Sequence, residues 1–128
     1  MRPIVLAVDD AKTVRRLAHE ALRDFECDVH EATNGFTALY AMERALPDLI
    51  LLDVSMPTMD GVEMLTLLKS KPGLNAIPVI MLTSPADHAV SSQIAALGVS
   101  ATLMKPFTPA ELIEKIRGVI DLKPLRSP

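Results

Sequence analysis

The sequence predicts an α/β domain with a five-stranded parallel sheet and helices packed on both of its faces. Three observations carry that prediction. Short apolar runs alternate with stretches of helical periodicity along the whole chain, the pattern of repeated strand–helix crossovers. The run Leu49-Ile50-Leu51-Leu52 is apolar without interruption, as a strand covered on both faces must be. The composition is aliphatic: 49% of the 128 residues are hydrophobic, yet aromatics make up only 3% and tryptophan is absent. The core must therefore be built from Ala, Val, Ile, Leu and Met.

Pro3 to Val8 forms the first strand and ends in two carboxylates, Asp9 and Asp10. Val14, Leu17, Ala18, Ala21, Leu22 and Phe25 then recur at helical spacing and give the first helix one apolar stripe. Lys12, Arg15, Arg16, Glu20 and Arg23 fall mostly off that stripe, and the helix starts at Asp10 or Ala11. Cys27 to Ala32 alternates as an edge strand does, with Asp28 and His30 blunting the edge. Asn34 caps a second helix that carries Ala38, Leu39, Met42 and Ala45 and stops at Pro47.

The third strand runs from Leu49 into Asp53, after which Pro57 and Gly61 mark a loop. Asp60 and Glu63 make a capping-box pair at the start of the third helix, which carries Val62, Leu65 and Leu68 and ends before Pro72-Gly73. Ile77 to Leu82 is the fourth strand and ends in the hydroxyls of Thr83 and Ser84. Ser84-Pro85-Ala86-Asp87 opens the fourth helix with proline at its first position. That helix is thin in large side chains (Ala89, Val90, Ile94, Ala95, Leu97) and ends at Gly98. Ala101 to Met104 is the fifth strand and ends in Lys105-Pro106. Thr108-Pro109-Ala110-Glu111 starts the last helix, with Leu112, Ile113, Ile116 and Ile120 as its buried face. Residues 1–122 read as one domain and 123–128, polar and proline-rich, as a flexible tail.

Several classes of function are disfavoured. The net charge is −3 and there is no basic run, so direct nucleic-acid binding is not expected. The single cysteine, Cys27, cannot form an internal disulfide; it fits a reducing compartment and reads as a buried structural thiol. No apolar run approaches the ~20 residues of a membrane span. The short apolar stretch at the N-terminus meets Asp9-Asp10 at once, which does not suit a signal peptide. A soluble, cytoplasmic protein with no membrane partner is expected. His19, His30 and His88 lack metal-ligand spacing and read as surface residues. No glycine-rich phosphate loop is present, which argues against a nucleotide or flavin cofactor.

Five parallel strands in this pattern fit the flavodoxin-like order 2-1-3-4-5, which gathers the carboxyl ends of the strands at one edge and places a switch point between the first and third. Four of the strands end in polar chemistry: Asp9-Asp10, Asp53, Thr83 and Lys105. Each residue alone reads as a helix cap, a loop hydroxyl or a solvated lysine. Together they read as a site. Carboxylates ~4 Å apart repel by roughly 4 kcal/mol per pair near a protein surface, and folding rewards nothing in that arrangement. A hard divalent cation does, and all-oxygen ligation points to Mg²⁺, with Lys105 offsetting part of the remaining charge. The set suits phosphoryl transfer to a carboxylate. Asp53 is an oxygen nucleophile that needs no general base at neutral pH. Mg²⁺ would draw charge from the transferring group, Lys105 would hold a phosphoryl oxygen and Thr83 would hydrogen-bond another.

The acidic pair Asp9-Asp10, the segment Leu-Asp-Val-Ser-Met-Pro-Thr-Met-Asp-Gly at 52–61, Thr83, and Lys105-Pro106-Phe107 together resemble the receiver domain of two-component response regulators, the CheY-like family, over residues 3 to 121. The resemblance implies a phosphoprotein of phosphorelay signal transduction in which Asp53 accepts a phosphoryl group from a sensor histidine kinase. It implies that Asp10, Asp53 and the backbone carbonyl of Ser55 hold Mg²⁺, with Asp9 acting through water. It implies that Thr83 and Lys105 sense the phosphoryl group, and that the Lys105–Pro106 bond is cis. The protein would be a switch that assists its own phosphorylation and dephosphorylation, not an enzyme. It would act on a downstream protein through the face of the fourth helix, fifth strand and last helix, as a monomer or a weak phosphorylation-dependent dimer.

Thr102 departs from the family pattern, because many receivers carry Tyr or Phe three residues before the lysine. Threonine has no ring to swing inward, so the output face is expected to respond by loop and helix movement. Ser55 and Pro85, two residues after Asp53 and Thr83, flank the path of the attacking water by resemblance and carry neither charge nor amide; an intermediate phosphate lifetime follows. A different class, a phosphatase or phosphotransferase with an aspartyl-phosphate intermediate, usually needs a second acid where Ser55 stands and a cap domain, which this chain lacks. A docking module that is never phosphorylated would have no use for the full acidic and sensing set.

Overall fold

The computed structural model describes residues 2–125. Its sheet contains β1 (Ile4–Val8), β2 (Asp28–Ala32), β3 (Leu49–Asp53), β4 (Val79–Thr83) and β5 (Ala101–Met104). All neighbours pair in parallel in the order β2-β1-β3-β4-β5, as the sequence predicts. Val8 lies beside Leu52, Asp53 beside Leu82, and Thr83 beside Met104. This register sets the residues that end β1, β3, β4 and β5 along one edge.

Side chains alternate between the two faces of a strand, and the interior divides accordingly. Val5, Ala7, Leu49, Leu51, Ile80 and Leu82 pack with residues of α1 (Lys12–Leu22) and α5 (Pro109–Arg117) on one face. Leu6, Val8, Ile50, Leu52, Val79 and Met81 pack with α2 (Gly35–Arg44), α3 (Gly61–Ser70) and α4 (Ser91–Leu97) on the other. Every residue of β3 is buried, and Cys27 is buried and free.

The expected caps form. Asn34 pairs with Thr37, Asp60 with Glu63, and Thr108 with Glu111, each in a reciprocal side-chain-to-backbone box. The fourth helix differs from the expectation. Its first six residues, Pro85–Val90, form a 3₁₀ turn, and regular α structure begins only at Ser91. Ser84 and Pro85 set the start, but no side chain of the turn is buried, and tertiary burial is what normally holds such a short segment in α geometry.

The segment after α5 folds back on the α1–β2 loop. Leu122 is buried. The backbone N–H of Glu26 donates to Lys123 O at 2.7 Å, and that of Leu125 to Asp24 O at 2.8 Å. The first three residues of the expected tail are thus paired, while 126–128 lie outside the described residues. Among the described residues no helix is long and apolar enough to cross a membrane.

Candidate functional site

Asp9 follows β1 and is fully buried, Asp53 ends β3 and is 4% exposed, and Asp10 is exposed. One carboxylate oxygen from each lies within 4.8 Å of the others. Thr83 ends β4, half-buried. Lys105 directly follows β5 and precedes a cis bond to Pro106, and its backbone N–H donates to Thr83 O at 2.7 Å. The lysine side chain crosses to the acids: Nζ donates to Asp53 Oδ1 at 2.9 Å and forms an ion pair with Asp9 Oδ2 at 2.8 Å. The structure therefore brings together Asp9, Asp10, Asp53 and Lys105.

The electrostatics follow from burial. Loss of water pushes Asp53 up to about 6, against the pull of the Lys105 hydrogen bond and with help from Asp9 and Asp10. At pH 7 the carboxylate still predominates, by roughly tenfold, and it remains nucleophilic without a base. Burial works against the Lys105 ammonium too, but its contacts with Asp9 and Asp53 outweigh that and raise it above the ordinary lysine value. Asp9 Oδ1 accepts the Ala11 N–H at 2.8 Å, which fixes the carboxylate at the start of α1. Its other oxygen is buried without a hydrogen bond of sound geometry.

These features test whether a divalent cation fits. Three carboxylates converge, the donor set is all oxygen, and the buried Asp9 Oδ2 has only the Lys105 ion pair to offset its charge. Hard cations take such ligands, and Mg²⁺ suits them.

The α3 end of the site is set by close packing. Gly61 donates its N–H to Val54 O at 2.8 Å, and a Cβ at Gly61 would collide with the Asp53 carbonyl oxygen. Gly35, in the same place on α2, leaves room for the Met59 side chain. Gly61 reads from sequence as a loop residue; what both glycines provide is close approach. A cap residue followed at once by glycine, Asn34-Gly35 and Asp60-Gly61, was the available signal. Thr58, in the same loop, has φ +73°, an outlier for a β-branched residue.

With this geometry in view, comparison with known proteins is decisive. The family described as response regulator receiver domain matches residues 5–117, a range that holds all the residues just placed. The chain belongs to that family.

This receiver is 35% identical to protein PilG of Pseudomonas aeruginosa over 113 residues, covering 88% of this chain and 84% of that protein. It is 34% identical to the chemotaxis protein CheY-3 of Vibrio cholerae over 118 residues, 91% of each. Among solved structures it resembles the chemotaxis response regulator CheY4 of Vibrio cholerae, with a TM-score of 0.86 and 31% identity over 94% of this chain and 100% of that one.

Two hollows flank the receiver's acidic edge. An open groove of about 720 Å³ is lined by Asp10, Ser55, Asp60, Glu63 and Asp87 among others. A hollow of about 410 Å³ lies between β4, the 3₁₀ turn, α4 and β5, with Thr83, Ile94, Thr102 and Met104 on its walls. Thr102 is exposed and does not fill it. Sequence reasoning used Asp87 only as part of a helix start. In the fold it also accepts a hydrogen bond from Ser55 Oγ at 3.1 Å. The three histidines are exposed, as expected, and His19 Nε2 lies 2.9 Å from Glu31 Oε2.

Proposed function

We propose that this receiver is a phosphorylation-driven switch in which Asp53 takes a phosphoryl group from the phosphohistidine of a sensor kinase. An Asp53 oxygen attacks phosphorus, the new P–O bond forms as the P–N bond breaks, and the imidazole leaves with its electron pair and picks up a proton. The observation that carries this reading is a buried carboxylate at a strand end, held near pKa 6 beside two further acids and contacted by one lysine.

Asp10, Asp53 and the Ser55 carbonyl would hold Mg²⁺, with Asp9 joined through water, as the family resemblance implies. When bound, the ion would supply positive charge to the transferring oxygens. Lys105, already between Asp9 and Asp53, would pair with a phosphoryl oxygen. Thr83, on the next strand, would donate its hydroxyl to another. The phosphorylated form would assist its own hydrolysis, and Ser55 and Pro85 leave an intermediate lifetime.

The output would pass through α4, β5 and α5 to a downstream protein, the chain acting in the cytoplasm as a monomer or weak phosphorylation-dependent dimer. Relatives named for chemotaxis make a chemotaxis-type pathway the leading context. The hollow beside Thr102 supports a response by loop and helix displacement, since no aromatic ring occupies it. The deciding experiment is incubation with acetyl phosphate and Mg²⁺ followed by intact-mass analysis of wild type and Asp53→Asn. Wild type should gain one phosphoryl mass and the variant none; equal labelling of both would move the chemistry elsewhere.

A further inference from the structure

Asp87 is where two loops meet. Its Oδ2 accepts hydrogen bonds from the Ser84 backbone N–H at 2.8 Å and the Ser84 hydroxyl at 3.0 Å. Those bonds account for its role in capping the 3₁₀ turn. They leave Oδ1 over, and Ser55 Oγ donates to it at 3.1 Å, across 32 positions of chain. Capping does not call for that contact. Ser84 follows Thr83, and Ser55 stands two residues after Asp53. One carboxylate therefore ties the loop after β3 to the loop after β4, on either side of the place where a phosphoryl group on Asp53 would sit. Asp87 also lines both hollows, the groove that holds Asp10 and Ser55 and the one that holds Thr83 and Thr102.

We propose that Asp87 is a positioning residue for phosphoryl transfer: through Ser55 and Ser84 it fixes the separation between the phosphoacceptor loop and the loop that carries Thr83. The proposal rests on the reading of Asp53 as phosphoacceptor. Phosphoryl transfer is mostly positioning and charge stabilisation, and small misplacements of the groups that line the site cost rate steeply. The 3₁₀ turn has no buried side chain of its own, so its placement depends on such ties. The bridge also connects the site to the hollow beside Thr102, on the face assigned to output.

The test uses two readouts on wild type, Ser55→Ala, Asp87→Ala and the double variant. The first is the rate of Asp53 phosphorylation by acetyl phosphate with Mg²⁺. Each single variant should slow it about three- to tenfold. The double variant should be no slower than the slower single, because both remove one bridge. Ser55→Thr, which keeps the hydroxyl, should restore part of what Ser55→Ala loses. The second readout is exchange of the Ser84 amide followed by NMR. Ser55→Ala leaves the Ser84–Asp87 cap intact, so faster exchange there reports the bridge itself. Rate losses that multiply in the double variant, or Ser84 exchange unmoved by Ser55→Ala, would overturn the proposal. A wild type that takes no phosphoryl group, or equal labelling of Asp53→Asn, would instead overturn the phosphoacceptor reading, and the exchange measurement would still decide the bridge.

Discussion

The two halves of the acidic edge are built differently. On the β1–β3 side, Asp9 and Asp53 are buried, every residue of β3 is buried, and α3 starts from a complete capping box with its first glycine against the Asp53 backbone. On the β4–β5 side, the chain leaves Thr83 through a 3₁₀ turn without a buried side chain, α4 buries only Ile94, and Met104 is 56% exposed. The first half has the packing that keeps its carboxylates in place. The second is held by few contacts, and segments of that kind open at low free energy. If the proposed function holds, this contrast would set a rigid site against a pliant face.

The same substitution in each half should show the largest contrast. Gly61→Ala forces a methyl group into the Asp53 carbonyl, and should cost more than about 3 kcal/mol, with distortion of the end of β3. Gly98→Ala meets open space and pays only for its φ of +91°, about 1 kcal/mol. Urea unfolding of both variants checks this. Equal losses would mean that α3 is not seated on β3 as tightly as its contacts indicate.

The next effect concerns what the rigid half pays for its chemistry. Asp53 stands at about 6 in the fold against 3.8 when free. The unfolded chain therefore binds fewer protons between those values, and stability falls as pH rises through that window. Asp53→Asn keeps the shape and an acceptor for Lys105 while removing the buried charge. Without Mg²⁺ it should be more stable than wild type by about 2–3 kcal/mol at pH 8, with most of the gain gone by about pH 4. A gain that survived unchanged at pH 4 would assign it to packing instead of charge. Added Mg²⁺ should raise the Tm of wild type more than that of the variant.

The loop after β3 carries strain of its own. Thr58 sits at φ +73°, where a β-branched side chain is disfavoured and asparagine is tolerated. Thr58→Asn should stabilise by up to about 1 kcal/mol in the same unfolding assay. No change would mean that the loop relaxes around Thr58 at no cost.

Much of this could be read from residues alone because local chemistry marked it. Asn34 as a cap, Asp60 with Glu63, and Thr108 before Pro109 announced three helices, and a capping box forms at each. Asp9, Asp10, Asp53 and Lys105 became a site once parallel order was inferred, since each ends a strand and topology alone brings strand ends together. What stayed hidden depends on contacts between loops. Ser55 and Asp87 are 32 positions apart with no periodicity to link them. The clearance needed at Gly61 is set by where α3 lands on β3. The 3₁₀ start of the fourth helix follows from an absence of anchors, which a strong Ser-Pro start signal concealed.

The smallest expected effect tests the pliant half directly. The hollow of about 410 Å³ beside Thr102 is walled by Thr83, Ile94 and Met104. A tyrosine at position 102 would have room to enter it and would add an apolar contact to the β4–α4 segment. Because the hollow is open to solvent and Thr102 is exposed, burial of the ring would be partial. Thr102→Tyr should therefore change stability by less than about 1 kcal/mol. Its signature should lie in local exchange: the amides of residues 84 and 86–90 should exchange more slowly, while those of β1 and β3 stay as they were. Slowing spread evenly over the molecule would show that the two halves open together, and the contrast between them would then be one of appearance.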